Sequence, residues 1–228
     1  MCIRDSYRTA YMKRHYPPQY MAALLTSVLE SSTKVAEYIA ECRELGIKLL
    51  PPDVNESDAN FTVAGENIRF GLVAIKGIGW GAIEELVAER HENGLFTSFE
   101  DFCKRMSGKE LNRRAVENLI RAGAFDGMGY KRKALLQIAG AVIDSISQAA
   151  RDNIAGQYDL FGDFEAQSEA SPQTIPIPDV EEFSARDKMM MEKEVTGLYL
   201  TGHPMDEYRD AVRKVGAVPI GAILGDFA

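Results

Sequence analysis

Hydrophobic side chains recur every three to four residues along most of this chain, which is the spacing of one buried helix face. Such stripes predict helices after Pro17, after Ser31, from about Gly81 to His91, after Ser98, after Asn112, from Lys131 to about Asp152, from Ala185 to Val195 and from Met205 to Val215. Between residues 47 and 70 the pattern instead predicts a short strand and a small hairpin. The sequence therefore predicts a mainly α fold with a small β-hairpin (α+β).

A glycine-rich turn, Lys76-Gly77-Ile78-Gly79, stands directly before the helix that begins near Gly81. Both of its glycines can adopt positive φ without Cβ strain, which would expose consecutive backbone N–H groups. The helix adds its own free N–H groups and the positive end of its dipole, so the turn is a candidate phosphate-binding site. An ordinary glycine turn is the alternative, but the pattern apolar-Lys-Gly-Ile-Gly-x-x-Ala-Ile resembles the helix-hairpin-helix motif of nucleic-acid-binding proteins.

A second helix, glycine-rich turn and helix follows about 45 residues later, with a more basic sequence. Cations at the start of its trailing helix oppose the helix dipole, an arrangement that suits a phosphate ligand. We predict tandem hairpins, with a plain αα-hairpin as the alternative for the second. The residues predicted to contact DNA are Lys76, Gly77, Ile78, Gly79, Gly81, Arg113, Arg114, Gly127, Gly129, Lys131 and Arg132.

The net charge of -8 argues against a nucleic-acid ligand, but the charges are unevenly distributed. Residues 104–133 contain nine basic and three acidic residues, whereas residues 152–194 contain eleven acidic and three basic ones. This division indicates a DNA-facing module beside a partner-facing one. Two solvated faces without a partner would give the same division.

Residues 152–178 are rich in Gly, Pro, Ser and Gln, which is typical of a linker. An isolated apolar patch, Gln157-Tyr158-Asp159-Leu160-Phe161, lies within it. Large apolar side chains are unusual in flexible acidic segments, so we expect Leu160 and Phe161 to enter an apolar pocket of a partner. The alternative is that they fold back onto the preceding helix.

Several classes of protein are disfavoured. The three cysteines are odd in number and widely spaced, which indicates a reducing, cytoplasmic location and no disulfide framework or zinc site. No apolar run is long enough to cross a membrane, and no signal peptide opens the chain. A small-molecule enzyme would need a nucleophile, a base or a metal set, and the sequence offers none.

Several motifs together resemble one family. Residues 7–17, Tyr-Arg-Thr-Ala-Tyr-Met-Lys-Arg-His-Tyr-Pro, resemble the end of the fingers region of bacterial DNA polymerase III alpha subunits, a family of replicative polymerases. The segments 50–55, 77–79, 111–114 and 198–204 follow in the order of that family, so the resemblance covers about residues 7–208.

This resemblance implies an internal segment of a longer polymerase, divided into five regions. These are a non-native leader (1–6), the end of the fingers (7–46), a helix-hairpin-helix DNA-binding domain (47–152), a linker with a clamp-binding peptide (153–178) and a helical connector toward an OB-fold domain (179–228).

The resemblance also implies the function. The chain is expected to bind primer-template duplex DNA through phosphate contacts and to dock the sliding clamp, the beta subunit, through Gln157, Asp159, Leu160 and Phe161. Other replicase subunits are further possible partners. The palm carboxylates and Mg²⁺ of the family belong upstream, so we predict no cofactor and no catalysis by this chain alone. The alternative is a stand-alone helix-hairpin-helix module of repair or recombination.

Overall fold

The computed structural model describes residues 3–29, 31–109, 111–157, 175–216 and 218. In chain order the elements are α1 (Ile3–His15), α2 (Pro17–Ser27), α3 (Ser32–Glu44), β1 (Leu49–Leu50), β2 (Thr62–Ala64), β3 (Asn67–Arg69), α4 (Trp80–Asn93), α5 (Phe99–Arg105), α6 (Arg113–Ala122), α7 (Arg132–Gln157), α8 (Ala185–Thr196) and α9 (Arg209–Val215). The described part of the chain is thus mainly helical with one small sheet, which confirms the predicted fold class.

The small sheet joins two elements that the sequence pattern predicts separately. β3 pairs antiparallel with β2, as the predicted hairpin requires, and parallel with β1 on its other edge. Ile68 and Phe70 donate their N–H groups to the carbonyls of Lys48 and Leu50. The predicted strand at residues 47–50 is therefore shorter than expected, and it forms the third strand of the same sheet.

Helix ends follow the local capping signals. Ser98 accepts the N–H of Asp101 at 3.0 Å and starts α5, and Asn112 accepts the N–H of Ala115 at 2.9 Å and starts α6. Such caps satisfy N–H groups that have no partner within the helix. Two helix starts differ slightly from the prediction, since α4 begins at Trp80 and α7 at Arg132. The last predicted helix is a 3-10 turn, Asp206–Tyr208, followed by α9.

An aromatic cluster anchors the helices around the second glycine turn. Phe125, from that turn, meets Phe99 and Phe102 of α5 edge to face, with ring centroids 5.2 and 5.0 Å apart. Phe102 also meets Phe96 at 5.0 Å. All four rings are buried, and each edge-to-face pair contributes about 0.5–1.5 kcal/mol beyond the burial of its area. This packing fixes α5 and the turn before α7 against one another.

The predicted clamp-binding peptide lies at the edge of the part of the chain that the structure describes. Gln157 is the last residue of α7, and the rest of the predicted clamp-binding peptide, including Asp159, Leu160 and Phe161, lies outside the described residues.

Among the helices that the structure describes, none has the length and apolar character needed to span a membrane.

Candidate nucleic-acid interface

The first glycine turn lies open at the surface. Lys76, Gly77 and Gly79 are exposed and Ile78 is half-buried. The backbone N–H groups of residues 77–79 donate to no acceptor among the described residues. The first turn of α4 follows directly and contains no acidic residue, so its free N–H groups are not covered by a local carboxylate. These are the features of an anion-binding helix start.

Only one of the two glycines adopts the left-handed conformation. Gly77 has φ +77°, whereas Gly79 has φ -72° and extended backbone as the residue that precedes α4. The expectation that both glycines use positive φ is therefore corrected. A single left-handed residue suffices because Gly79 only has to lead the chain into the helix.

Two neighbouring helices hold this turn in place. Lys76 donates its N–H to the carbonyl of Val195 in α8 at 2.8 Å, and Asn118 of α6 donates from Nδ2 to the carbonyl of Lys76 at 2.8 Å. Asn118 is buried, and a Cβ at Gly77 would come within 2.8 Å of its Nδ2. The turn is thus fixed from both sides while its own N–H groups remain open.

A basic cleft of about 550 Å³ adjoins the first turn. Its lining combines four cations, two carboxylates and two further residues, namely Lys76, Arg113, Arg114, Arg121, Glu117, Glu194, Asn118 and Val195. The structure therefore places Arg113 and Arg114 beside Lys76, although the sequence assigned them to the second hairpin. This regrouping follows from the packing of α6 between the first turn and α8.

Both carboxylates of the cleft already have a cation. Arg113 pairs with Glu117 at 3.0 Å, and Arg121 lies 3.7 Å from Glu194. Arg114 is exposed and pairs with no described residue. The cleft therefore keeps an excess of positive charge that can attract a phosphate backbone.

The second glycine turn is exposed at Gly127 and Gly129, but two of its backbone N–H groups are bonded within the turn. Met128 and Gly129 donate their N–H groups to Phe125 and Asp126 within a 3-10 turn. A Cβ at Gly127 would lie 2.3 Å from Oδ2 of Asp53, so Gly127 packs against a carboxylate. Burial raises the pKa of Asp53. A phosphate at this turn would therefore find two of the backbone N–H groups already hydrogen-bonded, and it would lie near the carboxyl group of Asp53.

The start of α7 is also occupied. Glu182 accepts the N–H groups of Arg132 and Lys133 at 2.9 and 3.2 Å. Lys131 pairs with Asp179 at 2.6 Å. The N–H groups that the sequence predicts as a phosphate site are therefore bound to Glu182, and the adjacent cation of Lys131 is paired with Asp179.

Arg132 is a buried structural residue. It is only 1% exposed and pairs with Asp126 at 2.6 Å and with the fully buried Glu192 at 3.0 Å. Burial would lower the pKa of Arg132, but these carboxylates outweigh it and raise the pKa, so the guanidinium is firmly charged. The predicted role of Arg132 in holding a phosphate is corrected, because its side chain does not reach the surface.

Sequence reasoning missed two residues of the first site. Asn118 and Arg121 lie on the predicted helix, but their neighbours across the cleft come from α8 and the first turn. A single sequence carries no signal for that contact. Among the residues that the structure describes, no group of three or more His, Cys, Asp or Glu side chains could hold a metal ion.

Part of this chain matches a known motif, and most of it resembles a segment of known proteins. A family model described as a helix-hairpin-helix motif matches residues 46–135, which include both glycine turns. The chain is 42% identical over 203 residues to a DNA polymerase III subunit alpha from Mycobacterium tuberculosis (strain CDC 1551 / Oshkosh), covering 88% of this chain and 17% of that protein. The protein of the same name from Deinococcus radiodurans is 40% identical over 205 residues, covering 89% of this chain and 15% of the relative.

A third relative of that name, from Pseudomonas aeruginosa, is 39% identical over an alignment of 225 positions that covers 92% of this chain and 19% of the relative. The chain thus spans less than a fifth of the length of these relatives. The aligned part nevertheless covers 88% to 92% of this chain. The chain is therefore a relative of one segment of the DNA polymerase III alpha subunits, and that segment carries a helix-hairpin-helix motif.

Proposed function

We propose that this chain binds duplex DNA through its phosphate backbone, as one segment of a replicative DNA polymerase. The observation that carries the proposal is the first glycine turn, where the three consecutive residues 77–79 have N–H groups without an acceptor in the described structure and both glycines are exposed. Contacts of this kind position a protein on DNA without reading its sequence, which a replicative enzyme requires.

The basic cleft extends the proposed contact. A phosphate held by residues 77–79 lies beside Lys76, and the next phosphates of the same strand lie within reach of Arg113 and Arg114. Because Arg114 has no described partner, a DNA phosphate gives its charge a counterion. The second turn contributes little, since its helix start is filled by Glu182.

The test is the affinity for fluorescently labelled duplexes of two unrelated sequences, measured by anisotropy over a range of salt concentrations. We expect equal affinity for both duplexes and a steep fall with salt, because each neutralised phosphate releases counterions. Lys76→Ala should weaken binding to both duplexes alike and reduce the salt slope by about 1.

Lys48→Ala is the matched control, because Lys48 is also exposed but lies beside the small sheet. Equal losses for the two variants would mean general electrostatic attraction and would contradict the proposed site. Strong discrimination between the two duplexes would contradict backbone recognition.

We also propose that Gln157, Asp159, Leu160 and Phe161 bind a sliding clamp. The residues lie at or beyond the end of α7, so the proposal depends on sequence alone. Burial of Leu160 and Phe161 in an apolar pocket would contribute about 1.5–3 kcal/mol each. The double variant Leu160→Ala/Phe161→Ala should lose clamp pull-down but retain DNA affinity. Survival of the pull-down would contradict this assignment.

We further propose that nucleotidyl transfer depends on carboxylates and Mg²⁺ outside this chain, and that this chain needs no cofactor. A primer-extension assay with the purified chain, deoxynucleotides and Mg²⁺ tests this directly. We expect no extension, and incorporation by the chain alone would refute the proposal.

A further inference from the structure

The segment that leads into α8 contacts the start of α7, the trailing helix of the second hairpin, mainly through charged side chains. We call residues 175–184 the acidic strap. The strap has no helix or strand, and within it the N–H of Val180 donates to the carbonyl of Pro178. Within the described structure its backbone–backbone hydrogen bond to another element is at its end, where the carbonyl of Ser184 accepts the N–H of Lys188 in α8, and none joins it to α7. It therefore depends on side chains for its position over α7.

Most of those side-chain contacts are electrostatic. Glu182 accepts N–H groups at the start of α7 and lies 3.4 Å from Lys188, and Asp179 pairs with Lys131. The apolar contribution comes from Ile175, which packs on the core, and from Phe183, whose ring lies 5.8 Å from Nζ of Lys133. Charged contacts of this kind weaken with salt and are open to competition by another anion.

Glu182 occupies the position that a phosphate takes at a helix start, and Asp179 pairs with the side chain of Lys131 just before it. Burial alone would raise the pKa of Glu182, but the N–H groups of Phe183, Arg132 and Lys133 outweigh it and hold the pKa below its usual value. The hydrogen bond and charge of Lys131 lower the pKa of Asp179. Both groups are therefore anionic at neutral pH. Asp179 is 95% exposed apart from this contact, so solvent and competing anions reach it.

We propose that the acidic strap is a built-in competitor of DNA, which keeps the second hairpin closed until a duplex held by the first hairpin displaces it. The inference depends on the proposed function. Displacement exchanges the carboxylates of Glu182 and Asp179 for DNA phosphates on Lys131 and on the N–H groups of Arg132 and Lys133. The side chain of Arg132 stays in its buried ion pairs, so the fold around Glu192 is kept.

The test compares Glu182→Gln with Glu181→Gln by duplex affinity and salt slope. The two variants change the net charge equally at adjacent positions, but Glu181 is exposed and has no hydrogen bond or ion pair to a described residue. We expect Glu182→Gln to bind duplex DNA about fivefold more tightly than Glu181→Gln, with a salt slope larger by about 1. Adding Lys131→Gln to Glu182→Gln should remove the gain.

Asp179→Asn is a second, milder variant, which should give a smaller gain in the same direction and leaves the cap of α7 intact. Equal affinities for Glu182→Gln, Asp179→Asn and Glu181→Gln would overturn the competitor role while leaving the proposed function standing. Absence of DNA binding by every variant and by the unchanged chain would overturn both.

Discussion

Gly77 shows how much of a binding site can depend on one residue. Its left-handed backbone turns the chain so that three N–H groups remain open, and its missing side chain leaves room for Nδ2 of Asn118. The neighbouring Gly79 has neither constraint, because its φ is -72° and a Cβ there meets nothing within 4 Å. The sequence motif treats the two glycines alike, whereas the structure separates them.

Gly77→Ala should therefore destabilise the chain more than Gly79→Ala. A left-handed conformation costs a residue with a Cβ about 1–2 kcal/mol, and displacement of Asn118 adds to this. We expect a loss of about 2 kcal/mol for Gly77→Ala and a change near zero for Gly79→Ala, measured by urea unfolding. Equal losses would mean that the left-handed turn does not form.

Arg132 marks the limit of residue-level prediction. Its position in a basic run at a helix start predicts a phosphate ligand, but the structure pairs its side chain with carboxylates of the chain itself. The anions are Asp126 and Glu192, and Glu192 comes from a helix sixty residues further along the chain. Residue type and spacing indicate that Arg132 needs a negatively charged partner, but only the packing of α8 on α6 and α7 decides which group is that partner.

At the scale of elements, the sequence predicts the features that depend on residues close together in the chain. The cap residues Ser98 and Asn112 each accept an N–H three residues away, and both caps are found where the pattern places them. The parallel pairing of β1 with β3 and the acidic strap on α7 depend on residues 19 to 50 positions apart. Nothing in the local pattern of either partner specifies those contacts.

The cap of α6 matters for the site because this helix carries Arg113, Arg114 and Asn118. Asn112→Ala removes the acceptor for the N–H of Ala115 and should cost about 1 kcal/mol of stability. Because Arg113 and Arg114 occupy the first turn, fraying should also weaken duplex binding. Asn112→Ser, which can still cap the helix, should retain both properties. Unfolding curves and anisotropy check this, and equal behaviour of the two variants would contradict it.

At the scale of the whole molecule, two buried cysteines report whether this chain folds on its own. Cys42 in α3 and Cys103 in α5 both belong to the hydrophobic core. Burial raises the pKa of Cys42 to about 11 and the pKa of Cys103 to about 12. At pH 8 the reactive thiolate of Cys42 is thus present at about one part in a thousand, so both thiols should be chemically inert in the folded chain.

We therefore expect a Cys2→Ser variant to show no rapidly reacting thiol with a disulfide reagent at pH 8, and two reacting thiols in guanidinium chloride. Slow reaction in native buffer would then measure the opening of the core around α3 and α5. Cys42 lies in the region assigned to the fingers and Cys103 in the hairpin region, so the two thiols test the halves separately. Rapid labelling of Cys42 alone would mean that the first three helices do not fold stably in the isolated chain. Rapid labelling of both would mean that the core, and with it the open glycine turn, does not form in the isolated chain.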